Sequence, residues 1–333
     1  MTISYLDSHR ISGLSSDTKP TNVETNSIYI STDDQERYWY DGSSWDWENP
    51  VHLRGVFAGG YSTGISNVMD YITIATTGNA IDFGDLVSPR YGQGGVSSPV
   101  RGVFGGGYTG SNVNTMDYIT MDTTGNAIDF GDLTLTRRAV TGVSSSVRGV
   151  FTGGHDGTNY NTMDYITIAT TGNATDFGDL TVIRHYTGGV SSGVRGVIGG
   201  GLSTSTIVNT MDYITIATTG NATDFGDLNN ATQSLAGVSS DTRGVFGGGY
   251  IAAATNVMDY ITIATTGNAT DFGDLTASKY NPAGISSGDG RGVFGGGYIS
   301  ANTNVIEYIT IATTGNATDF GDLTVARRDL TGV

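Results

Sequence analysis

Short apolar bursts separated by glycine, serine, asparagine and aspartate run through this chain from about Val51 onward, and the 3.6-residue spacing of a helix nowhere takes over. In the stretch that contains Arg101, alternation and turn chemistry predict four strands, at residues 102–108, 116–123, 127–133 and 140–144. The T-T-G-N-A segment around Gly125 and Asn126 supplies residues that tolerate positive φ, as a tight hairpin between the second and third of these strands requires. An S-S-x-V segment makes the next turn. The run D-Y-I-T-I-A-T is apolar or β-branched on both faces, which suits a sheet held between two other sheets. The small residues of T-G-V or G-G-V suit an innermost strand with no room for bulk.

The same pattern is written six times with a period of 47 or 48 residues, marked by arginines at 54, 101, 148, 195, 243 and 291. A period in the forties, made of strands, predicts an all-β, six-bladed β-propeller. Residues 51–333 are then one domain, because each blade buries its faces only against its neighbours. The first unit begins at its second strand, while the chain stops at Thr331-Gly332-Val333, a first strand with no successor. A closing strand near 330–333 is therefore expected to complete the first blade and pair two edges that would otherwise be open.

From Arg54 to Val333 the units resemble the kelch repeat. In that pattern a double glycine closes the second strand, a tyrosine follows in the third, an aromatic sits in the fourth and an arginine often precedes the next blade. Here Gly105, Gly106 and Gly107, then Tyr118, then Phe130, then Arg137 or Arg138 stand in those places. Phenylalanine replaces the usual tryptophan in all six units. The resemblance implies a propeller and leaves function open, since such proteins serve as binding scaffolds and, less often, as enzymes.

Residues 1–50 differ. They hold the three tryptophans, Trp39, Trp45 and Trp47, and read as a small β element with strands at 27–32 and 37–40, a turn at 33–36, and a second turn signal at Asp41-Gly42. The stretch Y-W-Y-D-G-S-S-W resembles a short hairpin of tailed-phage fibre and other virion proteins. That resemblance implies an attachment element joining the propeller to other virion proteins. Its aromatics would equally serve to cap one propeller face.

Composition narrows the classes. A formal charge of −16 disfavours nucleic acid and anionic membranes as partners, and no apolar run approaches a membrane span. The first residues lack a basic, then apolar, leader, so an extracellular role is expected to be reached as part of a particle. With no cysteine, disulfides and thiolate-derived cofactors are excluded.

The six units can also be compared with one another. T-T-G-N-A and V-S-S are nearly invariant, whereas the segment after the glycine run and the segment after D-F-G-D-L vary. Alternate connections of a four-stranded antiparallel blade emerge on opposite faces, so both variable segments are expected on one face, where a rigid scaffold presents its binding loops. Seven cations fall in the second variable segment: Arg90, Arg137, Arg138, Arg184, Lys279, Arg327 and Arg328. Together with Tyr91, Tyr186, Tyr280 and His185 they form the candidate ligand-binding face, a rim of arginine and tyrosine suited to stacking on and hydrogen bonding to glycans. The competing reading has several of these arginines in the kelch structural position, paired with neighbouring aspartates.

Little chemistry repeats beyond this. The Asp-Phe-Gly-Asp of each unit, such as Asp129 and Asp132, lacks the oxygen-donor density of a calcium loop and reads instead as carboxylates accepting N–H bonds or pairing with arginine. The glycine runs precede no helix and no lysine, unlike a phosphate loop. Four histidines, at 9, 52, 155 and 185, form no catalytic or metal-ligand spacing. The N-A-T sequons at Asn173, Asn221, Asn268 and Asn316 matter only on a eukaryotic secretory route. The expectation is a non-enzymatic binding or structural module of a virion tail or fibre, with a cell-surface glycan or protein receptor, no cofactor, and room for homo-oligomerisation. A glycan-active enzyme on the same ring, with a carboxylate pair across the channel mouth, and an intracellular kelch-type interaction scaffold are the alternatives.

Overall fold

A computed structural model describes residues 54–286 and 290–333 and, within the first 53 residues, the backbone of five short strands. The chain divides into two compact units, Met1–His52 and Leu53–Val333. In the first unit, strands Ser4–Asp7, Arg10–Gly13, Ile28–Ser31, Arg37–Tyr40 and Trp45–Trp47 form one sheet in chain order. The antiparallel pair expected around residues 27–40 is present, with Ile28 opposite Trp39. The turn expected at 33–36 and the Asp41-Gly42 signal lie outside the described residues. The first two strands were not legible from pattern, nor was the parallel pairing that sets Ile11 opposite Tyr29.

The second unit is a ring of six four-stranded antiparallel sheets. We number the blades by their arginines, from Arg54 in the first to Arg291 in the sixth. In the second blade the inner strand is Gly94–Ser97, followed outward by Arg101–Gly105, Thr115–Thr120 and Ile128–Asp132. Each inner strand thus belongs by sequence to the preceding repeat, and neighbouring repeats interlock. The second strand is shorter than the pattern predicts: Gly106 and Gly107, at φ of 71° and 110°, turn the chain before Tyr108. The ring closes as expected. Thr331–Gly332 pairs with Arg54–Ala58, and Val333 exchanges both backbone hydrogen bonds with Val56, at 2.9 and 3.0 Å.

Crowding at the axis explains the inner glycine. An added Cβ at Gly142 would fall within 3 Å of the Gly95 carbonyl, and the same holds around the circle for Gly189, Gly237, Gly284, Gly332 and Gly95 against the glycine before each. Backbone cannot yield as a side chain can, so only glycine fits. The hydrophobic core is divided among the junctions. Between the second and third blades, Val103, Met116, Phe130 and Leu133 pack against Phe151, Ile166 and Ile168.

The opposite end of each blade is locked differently. In every blade the third and outer strands slip register by a bulge, as between Met116 and Asp117, which pair with Gly131 and Asp129. The bulge glycine, at φ near 138° in Gly131, sits where a Cβ would strike the Gly172 carbonyl of the next blade. That next blade's T-T-G-N-A turn lies along the outer strand: Gly172 N–H donates to the Phe130 carbonyl at 2.8 Å, and Asp132 N–H donates to Asn173 Oδ1 at 3.0 Å. The outer edge is thereby paired instead of exposed. Asp-Phe-Gly-Asp is a bulge signature, and among the described residues no group of His, Asp or Glu is arranged to hold a metal. The repeated arginine acts on this side too. Arg101 lies 4.3 Å over the Tyr118 ring, which meets Phe130 edge-on, and donates to the Ile168 and Ala169 carbonyls of the next blade.

Candidate ligand-binding face

The second variable segment of each blade meets the first variable segment of the next. Tyr91, Arg138, His185, Gln233, Tyr280 and Arg328 bridge, in that order, to Tyr108, His155, Leu202, Tyr250, Tyr298 and Tyr61. The bridges are made by backbone alone: Arg138 N–H donates to His155 at 3.0 Å and His155 N–H donates back at 2.9 Å. Both variable segments therefore share one face, and the contact between them leaves each side chain free to differ.

Five residues expected on the exposed rim are not there. Arg137, Arg184 and Arg327 are 0% exposed, and Arg90 and Lys279 are 1% exposed. Each reaches across a blade junction to the buried acid that precedes the third-strand tyrosine. The pairs are Arg90–Asp117 at 2.5 Å, Arg137–Asp164 at 2.7 Å, Arg184–Asp212 at 2.8 Å, Lys279–Glu307 at 2.5 Å and Arg327–Asp70 at 2.9 Å. Burial pulls the guanidinium pKa values of Arg90, Arg137, Arg184 and Arg327 down, opposed by the facing carboxylate. Backbone carbonyls complete the shell. Arg137 also donates to Gly153, Thr162 and Phe151. A charge held this way in the interior is a fixed structural part, out of reach of a ligand.

The next residue along is half-exposed in Tyr91, Arg138, Tyr280 and Arg328 and buried in His185, and it builds a belt. Tyr250 meets Tyr280 at 5.7 Å between ring centroids, and Tyr280 meets Tyr298 at 5.3 Å. The Arg328 guanidinium lies over both Tyr298 and Tyr61, at 4.8 and 5.3 Å. Tyr61 meets Tyr91 at 6.1 Å, Tyr91 meets Tyr108 at 5.3 Å, and Arg138 lies 5.0 Å over Tyr108. His155 stacks on His185 at 4.8 Å, and His185 meets Tyr186 at the same distance. Leu202 and Gln233 interrupt the belt at the fourth blade. Sequence reading missed Tyr61, Tyr108, His155, Tyr250 and Tyr298, because a tyrosine after a glycine run looks like the end of a strand.

Inside the belt lies the mouth of the axial channel. It is ringed by residues in the left-handed region, Ala139, Tyr186, Ser234, Asn281 and Asp329 at φ of 53° to 60°, with Gly92 at 67°. Successive backbone groups join them in a circle. Gly92 N–H donates to Asp329, Asp329 to Asn281, Asn281 to Ser234, Ser234 to Tyr186 and Tyr186 to Ala139, at 2.8 to 3.4 Å, and Val140 N–H donates to Gly92 at 3.3 Å. The strain of the left-handed backbone, about 1 kcal/mol each, is offset by these bonds. Below the mouth the channel is walled by the inner-strand glycines and holds a cavity of about 130 Å³, room for several waters.

Burial shapes the titration of the mouth. It pushes the Tyr186 hydroxyl up to about 12, with the neighbouring Asp329 charge in the same direction. It raises the Asp329 carboxyl to about 6, against the pull of Arg328 and Arg138. It lowers the His185 imidazole to about 4, with His155 and Arg138 adding to the fall. Asp329 is the one carboxylate among the described residues lining the mouth. Neither a family model nor a curated protein matches the chain.

Proposed function

We propose that this chain is a non-enzymatic recognition module, a kelch-like propeller whose variable face binds glycans. The belt carries the reading. Seven tyrosines, two histidines and two half-buried arginines follow one another around most of one face, on a scaffold whose blade-to-blade bridges there are made by backbone. Aromatic faces suit the C–H faces of sugar rings, and Arg138 and Arg328 add forked donors for hydroxyl or carboxylate groups. Catalysis by a carboxylate pair would need a second acid beside Asp329 at the mouth. The N-terminal element, a separate unit, would join the module to other proteins of a virion tail or fibre.

Binding of the full chain to an array of neutral and acidic glycans tests the reading. Tyr108→Ala with Arg138→Ala is expected to weaken the best ligand at least about tenfold without lowering the melting temperature. Undiminished binding by that variant, or an array with no ligand, would overturn it. New reducing ends released from a polysaccharide panel would favour the enzyme reading instead.

A further inference from the structure

The six blade junctions are not equivalent, and the difference is chemical. At five of them a cation from the second variable segment neutralises the buried acid of the next blade. At the junction of the fourth and fifth blades the acid is kept, as Asp259, but the residue at the cation's place is Thr232. The threonine cannot substitute: its hydroxyl donates to the Asn230 carbonyl at 3.1 Å. Asn229 caps Asp259 from one side, through its N–H at 3.1 Å and its Nδ2 at 2.6 Å.

The rest of the cation shell persists. At the second junction Arg137 donates to Gly153, Thr162, Phe151 and Asp164, and at the third Arg184 donates to Gly200, Thr210, Ile198 and Asp212. Gly248, Val257, Phe246 and Asp259 are the matching residues of the fifth blade. Phe246 stands opposite Asp259 as Phe151 stands opposite Asp164. Gly248 N–H donates to Val257 at 3.1 Å, as Gly153 N–H does to Thr162 at 3.0 Å. Asp259 is also 7% exposed, where Asp164 and Asp212 are 0% exposed, so a water-sized group reaches it. Opposite it in the ladder stands a second carboxylate, Asp271. Desolvation raises the Asp259 pKa with no cation to oppose it, whereas at Asp117 the same rise is opposed by Arg90.

The geometry points to a binding site for a small monovalent guanidinium or primary ammonium ion, formed by Asp259 and the carbonyls of Gly248, Val257 and Phe246. The ligand class follows from the other junctions. Four hold a guanidinium that donates to carbonyls of the shell, and one an ammonium that faces the acid without a carbonyl bond, so the acid takes either head group with a single positive charge and the carbonyls suit the guanidinium. Lys279 also shows how closely the shell is fitted, because the shorter cation faces Glu307, the longer acid.

Thermal unfolding of the full chain in dilute guanidinium chloride, against equal sodium chloride, tests the site. At about 10 mM guanidinium is too dilute to denature, and a ligand tenfold above its Kd is expected to raise the midpoint by about 2 °C. Thr232→Arg, which supplies the cation covalently, is expected to melt higher than the parent and to lose the response. Asp259→Asn is expected to lose the response as well. A parent chain that shows no rise, or a rise equal in Asp259→Asn, would overturn the proposal, whether or not Thr232→Arg folds. Glycan binding does not enter this readout, so the two readings fail separately.

Discussion

The two faces of the propeller are joined across the same six junctions, yet one repeats almost letter for letter and the other varies. On the constant face the contacts use side chains and the absence of one. Asn173 must accept from the Asp132 N–H, and Gly131 must leave room for the Gly172 carbonyl. On the variable face the blades meet through reciprocal backbone bonds, as between Arg138 and His155, which any residue but proline can make. The difference teaches that variation here follows where the fold reads backbone and not side chain. It also separates two residues adjacent in sequence: Arg137 is part of the junction, Arg138 is not.

That separation is open to breaking. Arg137→Ala leaves Asp164 buried without its cation and is expected to cost about 3–5 kcal/mol in chemical denaturation. A loss below about 1 kcal/mol would place Arg137 with its neighbour on the free face. On the constant face, Gly131→Ala sets a Cβ against backbone at a φ disfavoured for alanine, and about 3 kcal/mol is expected. Between these and the smallest effect lies a pH test. The His185 pKa is depressed in the fold, so its contribution is present above its unfolded pKa near 6.5 and is lost as pH falls through about 4. Asp329 acts oppositely: its raised pKa gives a contribution that is present below about 4 and lost as pH rises through about 6. His185→Gln is therefore expected to remove roughly 2 kcal/mol of acid destabilisation between pH 6.5 and 4, read from urea midpoints. An unchanged pH profile would mean that His185 charges freely in the fold. The smallest change is expected for Arg138→Ala, within about 0.5 kcal/mol of the parent, although it removes a belt residue.

Much of the scaffold was legible because its causes are local or repeated. The period, the strand order and the latch at Val333 follow from the pattern of the units, and the inner glycines from the lack of room at an axis. The belt and the buried cations were harder to read. Arg90, Arg137, Arg184, Lys279 and Arg327 lie in segments without periodicity, where burial depends on an acid some 30 residues away in the next blade. One signal was present: Lys279 and Glu307, the lysine and glutamate of the propeller, change together one junction apart. The missing cation at Thr232 was visible in the same comparison, but its consequence needed Asp259 opposite it.

By itself the sequence determined a six-fold ring of strands, since a unit copied six times can bury its two apolar faces only against copies of itself. Tertiary structure alone decided which cations face water. Side chains of consecutive loop residues point in directions that no repeat period encodes, and only the neighbouring blade supplies the carboxylate and carbonyls that draw Arg137 inward and leave Arg138 outside.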